Sequence, residues 1–125
     1  EAARGHMKSF QLHLYIGAVM DAVAAANRYF AQAEPWKLAK SDPARMRVVL
    51  YVTLETLRTA AILLQPVTPS AMTKLLDLLA VPADRRSFAE LEPLGGALQG
   101  AKRLPPGVPL PPPSPVFPRY AEETA

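Results

Sequence analysis

A chain of 125 residues with 14 Lys and Arg, 11 Asp and Glu and no cysteine has room for one domain and a tail, and excludes disulfides, thiolate zinc sites and a cysteine nucleophile. His6 and His13 are its only histidines, which leaves little for histidine catalysis or metal binding. No apolar run approaches the ~18 residues that span a membrane and no secretory pattern opens the chain, so a cytoplasmic location with no membrane partner is expected.

The net charge of +3 is local: residues 27–58 carry Arg28, Lys37, Lys40, Arg45, Arg47 and Arg58 against Glu34, Asp42 and Glu55, while the remaining bases and acids cancel. Such a patch suits a polyanionic partner, or is a solvated helix face.

The first helix is expected from about Met7 to Glu34. Leu12, Ile16, Val19, Met20, Val23, Ala26 and Phe30 fall in one arc of a helical wheel, with Asn27 among them. Pro35 stops it, since the ring lacks an N–H and restricts the residue before it. Trp36 to Ser41 reads as a connector. Asp42 and Pro43 then give an N-cap followed by proline at the first helical position, opening a second helix to about Leu64.

That second helix has two apolar stripes. Met46, Val49, Leu50, Thr53, Leu54, Leu57, Ala60, Ala61 and Leu64 form the main one; Val48, Val52, Thr59 and Leu63 form another. Arg47, Tyr51, Glu55 and Arg58 occupy the wetter side. Two apolar faces call for neighbours on two sides. Either a bundle member is missing, or the tail or another chain covers the extra face.

Pro66 closes this helix, and Thr68-Pro69 repeats the cap-then-proline signal for a third helix to about Ala80. Its buried edge is Met72, Leu75, Leu76 and Leu79. Ser87 to Leu91 fits one further turn, with Ser87 as cap and Glu90 at the capping-box position. Beyond Glu92, Gly95, Gly96, Gly100 and Gly107 loosen the chain, and eight of its 14 prolines fall in 105–118, which favours an extended or polyproline tail. The expected fold is all-α: an antiparallel helix bundle over residues 1–92 with an extended Pro-rich C-terminal tail over 93–125.

The informative stretch is Glu34-Pro35-Trp36-Lys37-Leu38-Ala39-Lys40. It sets the only tryptophan at a helix break beside two lysines. An indole at a bend either projects outward to stack on an unpaired base, with lysines on phosphate, or plugs the gap between two helices. Elsewhere the side chains favour structure over chemistry. Asp42 is placed as a cap. His13 has no ligand partner at helical spacing. Arg85-Arg86 and Lys102-Arg103 are short basic pairs, and Glu90 with Glu92 makes no convincing acid–base couple.

The string Ala26-Asn27-Arg28-Tyr29-Phe30, the Pro35-Trp36 pair with Lys40 in register, Leu50-Tyr51-Val52, and Leu64-Gln65-Pro66-Val67-Thr68-Pro69 form an ordered set. Together with Pro115-Val116-Phe117-Pro118-Arg119 near the end, they resemble the anticodon-binding helical domain of bacterial-type methionyl-tRNA synthetases. The resemblance covers about residues 8–82 and 94–120. It implies the anticodon-binding fold of a class I aminoacyl-tRNA synthetase, lacking its first helix, whose absence would account for the second stripe of the second helix.

It also implies a function: recognition of the tRNA anticodon within the C-terminal part of an enzyme that attaches methionine to its tRNA using ATP. Trp36 would meet the first anticodon base, the cytosine of CAU. Pro35 would fix the loop, and Lys40 would contact phosphate or place the loop. Lys37, Asn27 and Arg28 join them as candidate anticodon-binding residues. The family's His-x-Gly-His-type motif and Lys-Met-Ser-Lys-Ser loop are absent, so no catalytic or metal-binding residue is expected here. ATP and magnesium would belong to the catalytic domain of the parent enzyme. The partners implied are methionine tRNA with its CAU anticodon and that catalytic domain. The alternative is a helical protein-interaction module, because Pro109–Pro112, Pro112–Pro115 and Pro115–Pro118 all have the P-x-x-P form that aromatic grooves accept.

Overall fold

The computed structural model describes residues 2–91 and 104–119. Among these described residues five α-helices follow one another: α1 (Ala2–Lys8), α2 (Leu12–Ala33), α3 (Pro35–Ser41), α4 (Pro43–Leu64) and α5 (Pro69–Leu78). Two short 3-10 turns, Ala83–Arg85 and Phe88–Leu91, come after them. The fold is all-α, as expected. The glycine-rich stretch with Gly95, Gly96 and Gly100, the Lys102-Arg103 pair, Glu92 and the boundary between bundle and tail lie outside the described residues.

The single helix expected over Met7–Glu34 is broken between Lys8 and Leu12. Phe10 takes a left-handed backbone with φ 56°. Its N–H donates to the Met7 carbonyl at 3.1 Å, and the Gln11 N–H donates to the His6 carbonyl at 2.9 Å. This paired arrangement caps a helix C-terminus, usually with glycine in the left-handed position. Here a phenylalanine holds that position, so no Gly or Pro signalled the turn. The break lets α1 fold back and set Ala3 against the buried cluster of Tyr15, Val19 and Ala60.

The connector expected over Trp36–Ser41 is instead helix α3. Pro35 ends α2 and also opens α3, because its missing N–H costs nothing at the first helical position. Asp42 then joins α3 to α4. Its N–H donates to the Leu38 carbonyl at 2.8 Å, while its carboxylate accepts the Arg45 N–H at 3.0 Å, which is the cap read from the sequence.

Helix α4 is the hub and packs against α2, α3 and α5. The Tyr15 hydroxyl donates to the Leu63 carbonyl, and Val19 meets Ala60. The start of α2 therefore lies on the end of α4, and the two run antiparallel. A second cluster joins Ala61 and Ile62 of α4 to Met72 and Leu76 of α5 and to Leu79 and Val81 beyond it. Helix α5 stops at Leu78, two residues before the expected end. Ala80 turns left-handed with φ 56°, and the Val81 N–H donates back to the Leu76 carbonyl at 3.0 Å. Thr68 precedes α5 without a side-chain cap bond. The turn expected at Ser87–Leu91 is present as a 3-10 turn over Phe88–Leu91.

Each side of α4 has a different fate. The α5 side and the α2 side are covered. Of the extra stripe, Leu63 packs on the first cluster, whereas Val48 is 59% exposed and Val52 is exposed as well. The side read as wet stays open at Arg47 but closes from Tyr51 onward, where Arg58 is only 4% exposed. The returning tail covers it, as the Leu104 N–H donates to the Glu55 carboxylate at 3.1 Å and the Tyr51 hydroxyl donates to the Leu104 carbonyl at 2.9 Å. Glu55 also holds the Arg58 guanidinium, with its oxygens 3.0 and 3.1 Å from Nε. Among the described residues no helix is long and apolar enough to cross a membrane.

Candidate nucleic-acid interface

The site is built at the corner between α2 and α3. Glu34 carries the whole change of direction with φ 45° and ψ 59°, a left-handed conformation that non-glycine residues adopt rarely. Proline's steric bulk already disfavours the right-handed helical region for the residue before it, so α2 cannot run on through Glu34. Both helices use this one residue. Its N–H donates to the Phe30 carbonyl at 3.2 Å, and its carbonyl accepts from the Lys37 N–H at 2.8 Å and the Leu38 N–H at 3.3 Å. Pro35 is buried beneath the corner, fixing the backbone from which Trp36 departs.

Trp36 is 57% exposed. Of the two roles open to it, plugging the gap between helices falls to Pro35, and the indole projects outward. The ring of Phe30 stands against it with centroids 6.0 Å apart and planes at 62°, the edge-to-face arrangement aromatic quadrupoles favour. Lys37 turns back on the corner: its ammonium lies 2.8 Å from each carboxylate oxygen of Glu34. Lys40 is exposed on α3. At about 100° per residue it lies only about 40° around the helix from Trp36, one turn on, so indole and ammonium share a face.

Asn27 and Arg28 are both exposed on α2, although Asn27 was placed within the apolar arc. They leave α2 in different directions. By helical register Asn27 stands about 60° from Phe30, and Arg28 about 160° from it. The corner thus gathers Pro35, Trp36, Lys37 and Lys40, with Asn27 on the near flank of α2 and Arg28 on the far one. Arg45 and Arg47 are exposed at the start of α4.

Two contributors were missed from the sequence. Phe30 was counted as core, yet it supports the indole; its spacing of six residues across a proline break gave no signal. Glu34 was read as a helix end, while its carboxylate engages Lys37; a Glu three residues before a Lys was the available clue. The remaining candidates are structural. His13 is exposed. Arg86 is spent on backbone and on Asp77, with Nη2 2.6 Å from the Val81 carbonyl and 2.6 Å from the Asp77 carboxylate. The Pro-rich segment is exposed from Pro105 to Pro115; it turns at Pro106-Gly107, where Gly107 has φ 79°, and Phe117 is exposed beyond it.

The fold resembles solved structures of an aminoacyl-tRNA synthetase. A solved structure of free Mycobacterium tuberculosis methionyl-tRNA synthetase matches with a TM-score of 0.81 and 44% identity, over 95% of this chain and 23% of that one. The same enzyme in complex with methionyl-adenylate matches with a TM-score of 0.82 and 43% identity, over 93% and 22%. The chain belongs to the family described as the anticodon binding domain of methionyl tRNA ligase, whose model matches residues 1–125. Methionine–tRNA ligases of Brucella suis biovar 1 and Rhizobium meliloti are 54% and 50% identical over 122 and 123 residues, in each case 98% of this chain. The chain spans 22% of the length of either relative.

Proposed function

We propose that the Trp36 corner reads the anticodon of methionine tRNA, CAU, as part of a methionyl-tRNA synthetase. The observation that carries this reading is the exposed indole on a rigid proline corner, with Lys40 on the same face. Trp36 stacks on the first anticodon base, the cytosine. One such stack is worth ~1–3 kcal/mol and needs only an unpaired base with an open face. Lys40 and Lys37 meet the flanking phosphates, which orient the strand but carry no sequence information. Asn27, on the Phe30 side of α2, supplies polar contact to the bases, and Arg28 on the opposite side reaches backbone phosphate. Pro35 fixes the corner and touches no nucleotide.

The bundle, residues 1–92, holds the anticodon so that the acceptor end of the tRNA reaches a catalytic domain elsewhere in the same cytoplasmic enzyme. ATP and magnesium are handled there. At Leu104 the tail acts as a strap across α4 and not as a ligand for other proteins. Support for this comes from Leu104, whose two backbone hydrogen-bonding groups are both engaged by side chains of α4.

The test is Trp36→Ala in the full-length enzyme. Aminoacylation of tRNA is expected to fall by about tenfold or more, in line with the loss of one stack, with methionine activation unchanged. An equal fall in both would make Trp36 a structural residue.

A further inference from the structure

We propose that Phe30 is a positioning residue for nucleotide binding: its ring sets the angle of the Trp36 indole before RNA arrives. This deepens the anticodon reading above and rests on it. The backbone around Trp36 is already fixed. Glu34 is locked in a left-handed turn, Pro35 is buried, and the Lys37 and Leu38 N–H groups both donate to the Glu34 carbonyl. What remains free is rotation of the indole about its two side-chain bonds. An indole that is 57% exposed has little protein around it to choose among rotamers.

Among the described residues, Phe30 is the aromatic ring that meets it, at 6.0 Å and 62°. That contact occupies one flank and leaves most of the ring surface open. Phe30 itself is half-buried and anchored in the 22-residue helix α2, so it is the fixed partner of the two. A ring held ready loses less freedom when a base lies on it. Phe30 therefore raises affinity without touching nucleotide, and its effect is confined to the stacking part of binding.

Trp36 is the only tryptophan, so its fluorescence reports this ring alone. The experiment compares the wild-type chain with Phe30→Leu, Phe30→Met, Phe30→Tyr and Trp36→Ala. It measures fluorescence anisotropy decay of the free protein, then titrates an RNA stem-loop bearing CAU at several salt concentrations. Helix content is monitored by circular dichroism, and Phe30→Met, whose unbranched side chain adapts to irregular gaps, stands in should the leucine variant lose its fold.

Faster local motion of the indole is expected in the leucine and methionine variants. Their stem-loop binding should weaken by about two- to tenfold, the worth of an aromatic pair. The slope of affinity against salt should not change, because phosphate contacts are untouched. Phe30→Tyr, which keeps the ring, should restore both readouts. Unchanged indole motion and affinity in Phe30→Leu, with Trp36→Ala binding weakly, would overturn the role of Phe30 and leave the anticodon reading standing. Equal loss in Phe30→Tyr and Phe30→Leu would also overturn it. Wild-type affinity in Trp36→Ala would remove the anticodon reading and this proposal together.

Discussion

Tyr51 donates its phenolic hydrogen to the carbonyl oxygen of Leu104 at 2.9 Å, joining α4 to a residue 53 positions further along the chain. On the other side of the same residue, the Leu104 N–H reaches the Glu55 carboxylate at 3.1 Å. Two side chains one turn apart on α4 thus satisfy both backbone groups of a single tail residue. The Leu104 side chain packs on the cluster formed by α4 and α5. The tail is fastened there, and Pro105, Pro106 and Val108 after it still line a groove with Leu50 and Leu54 of α4.

Tyr51→Phe should cost about 1 kcal/mol, the usual net worth of one hydrogen bond, and speed hydrogen exchange at the Leu104 amide. Glu55→Ala should cost far more, about 3–5 kcal/mol, because it strands a buried Arg58 without its counter-charge. Denaturant unfolding of the two variants checks the ordering. Equal costs would mean that Arg58 finds another partner.

Ala80→Gly should stabilise the fold. Ala80 sits at φ 56°, where a Cβ crowds the backbone by roughly 1–2 kcal/mol that glycine avoids. Glycine's extra freedom in the unfolded chain offsets part of this, leaving a gain of about 0.5–1 kcal/mol and a rise in Tm of about 3 °C. A fall in Tm would show that the Ala80 methyl group contributes more by packing than its backbone loses by strain.

Burial raises the pKa of Tyr15 above its ordinary value of 10.0. Above that pH the unfolded chain releases the phenolic proton before the folded chain does. The folded state then binds more protons, so stability falls as pH climbs through about 10 and beyond. Urea midpoints measured from about pH 8 to 11 should decline at the top of that range. Tyr15→Phe, which loses the bond to Leu63, should be less stable at neutral pH but decline less steeply.

The general architecture was legible in the sequence, and the corners were not. Asp42-Pro43 and Thr68-Pro69 mark the starts of α4 and α5, because a proline tolerated at a first helical position is a local signal. The helix end at Phe10 gave none, and the end of α5 was placed at about Ala80 with no sign of the left-handed turn there. Both hold left-handed turns with ordinary side chains, and tertiary packing of α1 on α2 and of Val81 on Leu76 outweighs local preference. The wet side of α4 was misjudged because its cover, Leu104, is distant in sequence, and periodicity cannot report a partner outside its window. At the interface, Pro35-Trp36 stood out by residue type. The support from Phe30 crosses the proline break and becomes visible only once the angle between α2 and α3 is known.

Glu34 holds Lys37 in the free protein, with both carboxylate oxygens at 2.8 Å. The pair is exposed, so it adds little to stability, but a phosphate must displace it to reach the ammonium. Glu34→Gln should therefore bind a CAU stem-loop more tightly. The slope of log affinity against log salt should steepen by up to about 0.7–0.9 as one more phosphate contact forms fully. Unchanged affinity and slope would place Lys37 outside the phosphate contacts.

The most direct measurement titrates a dye-labelled CAU stem-loop with the wild-type chain and with Trp36→Ala, reads both affinities from the anisotropy of the label, and follows Trp36 fluorescence in the wild type. The expected result is quenching of the indole by the stacked base and a loss of about 1–3 kcal/mol in the alanine variant, roughly five- to 150-fold in Kd. Changing the cytosine at the first anticodon position should weaken binding to the wild type more than to the variant. Equal affinity of both proteins for the stem-loop, with no change in fluorescence, would contradict the account.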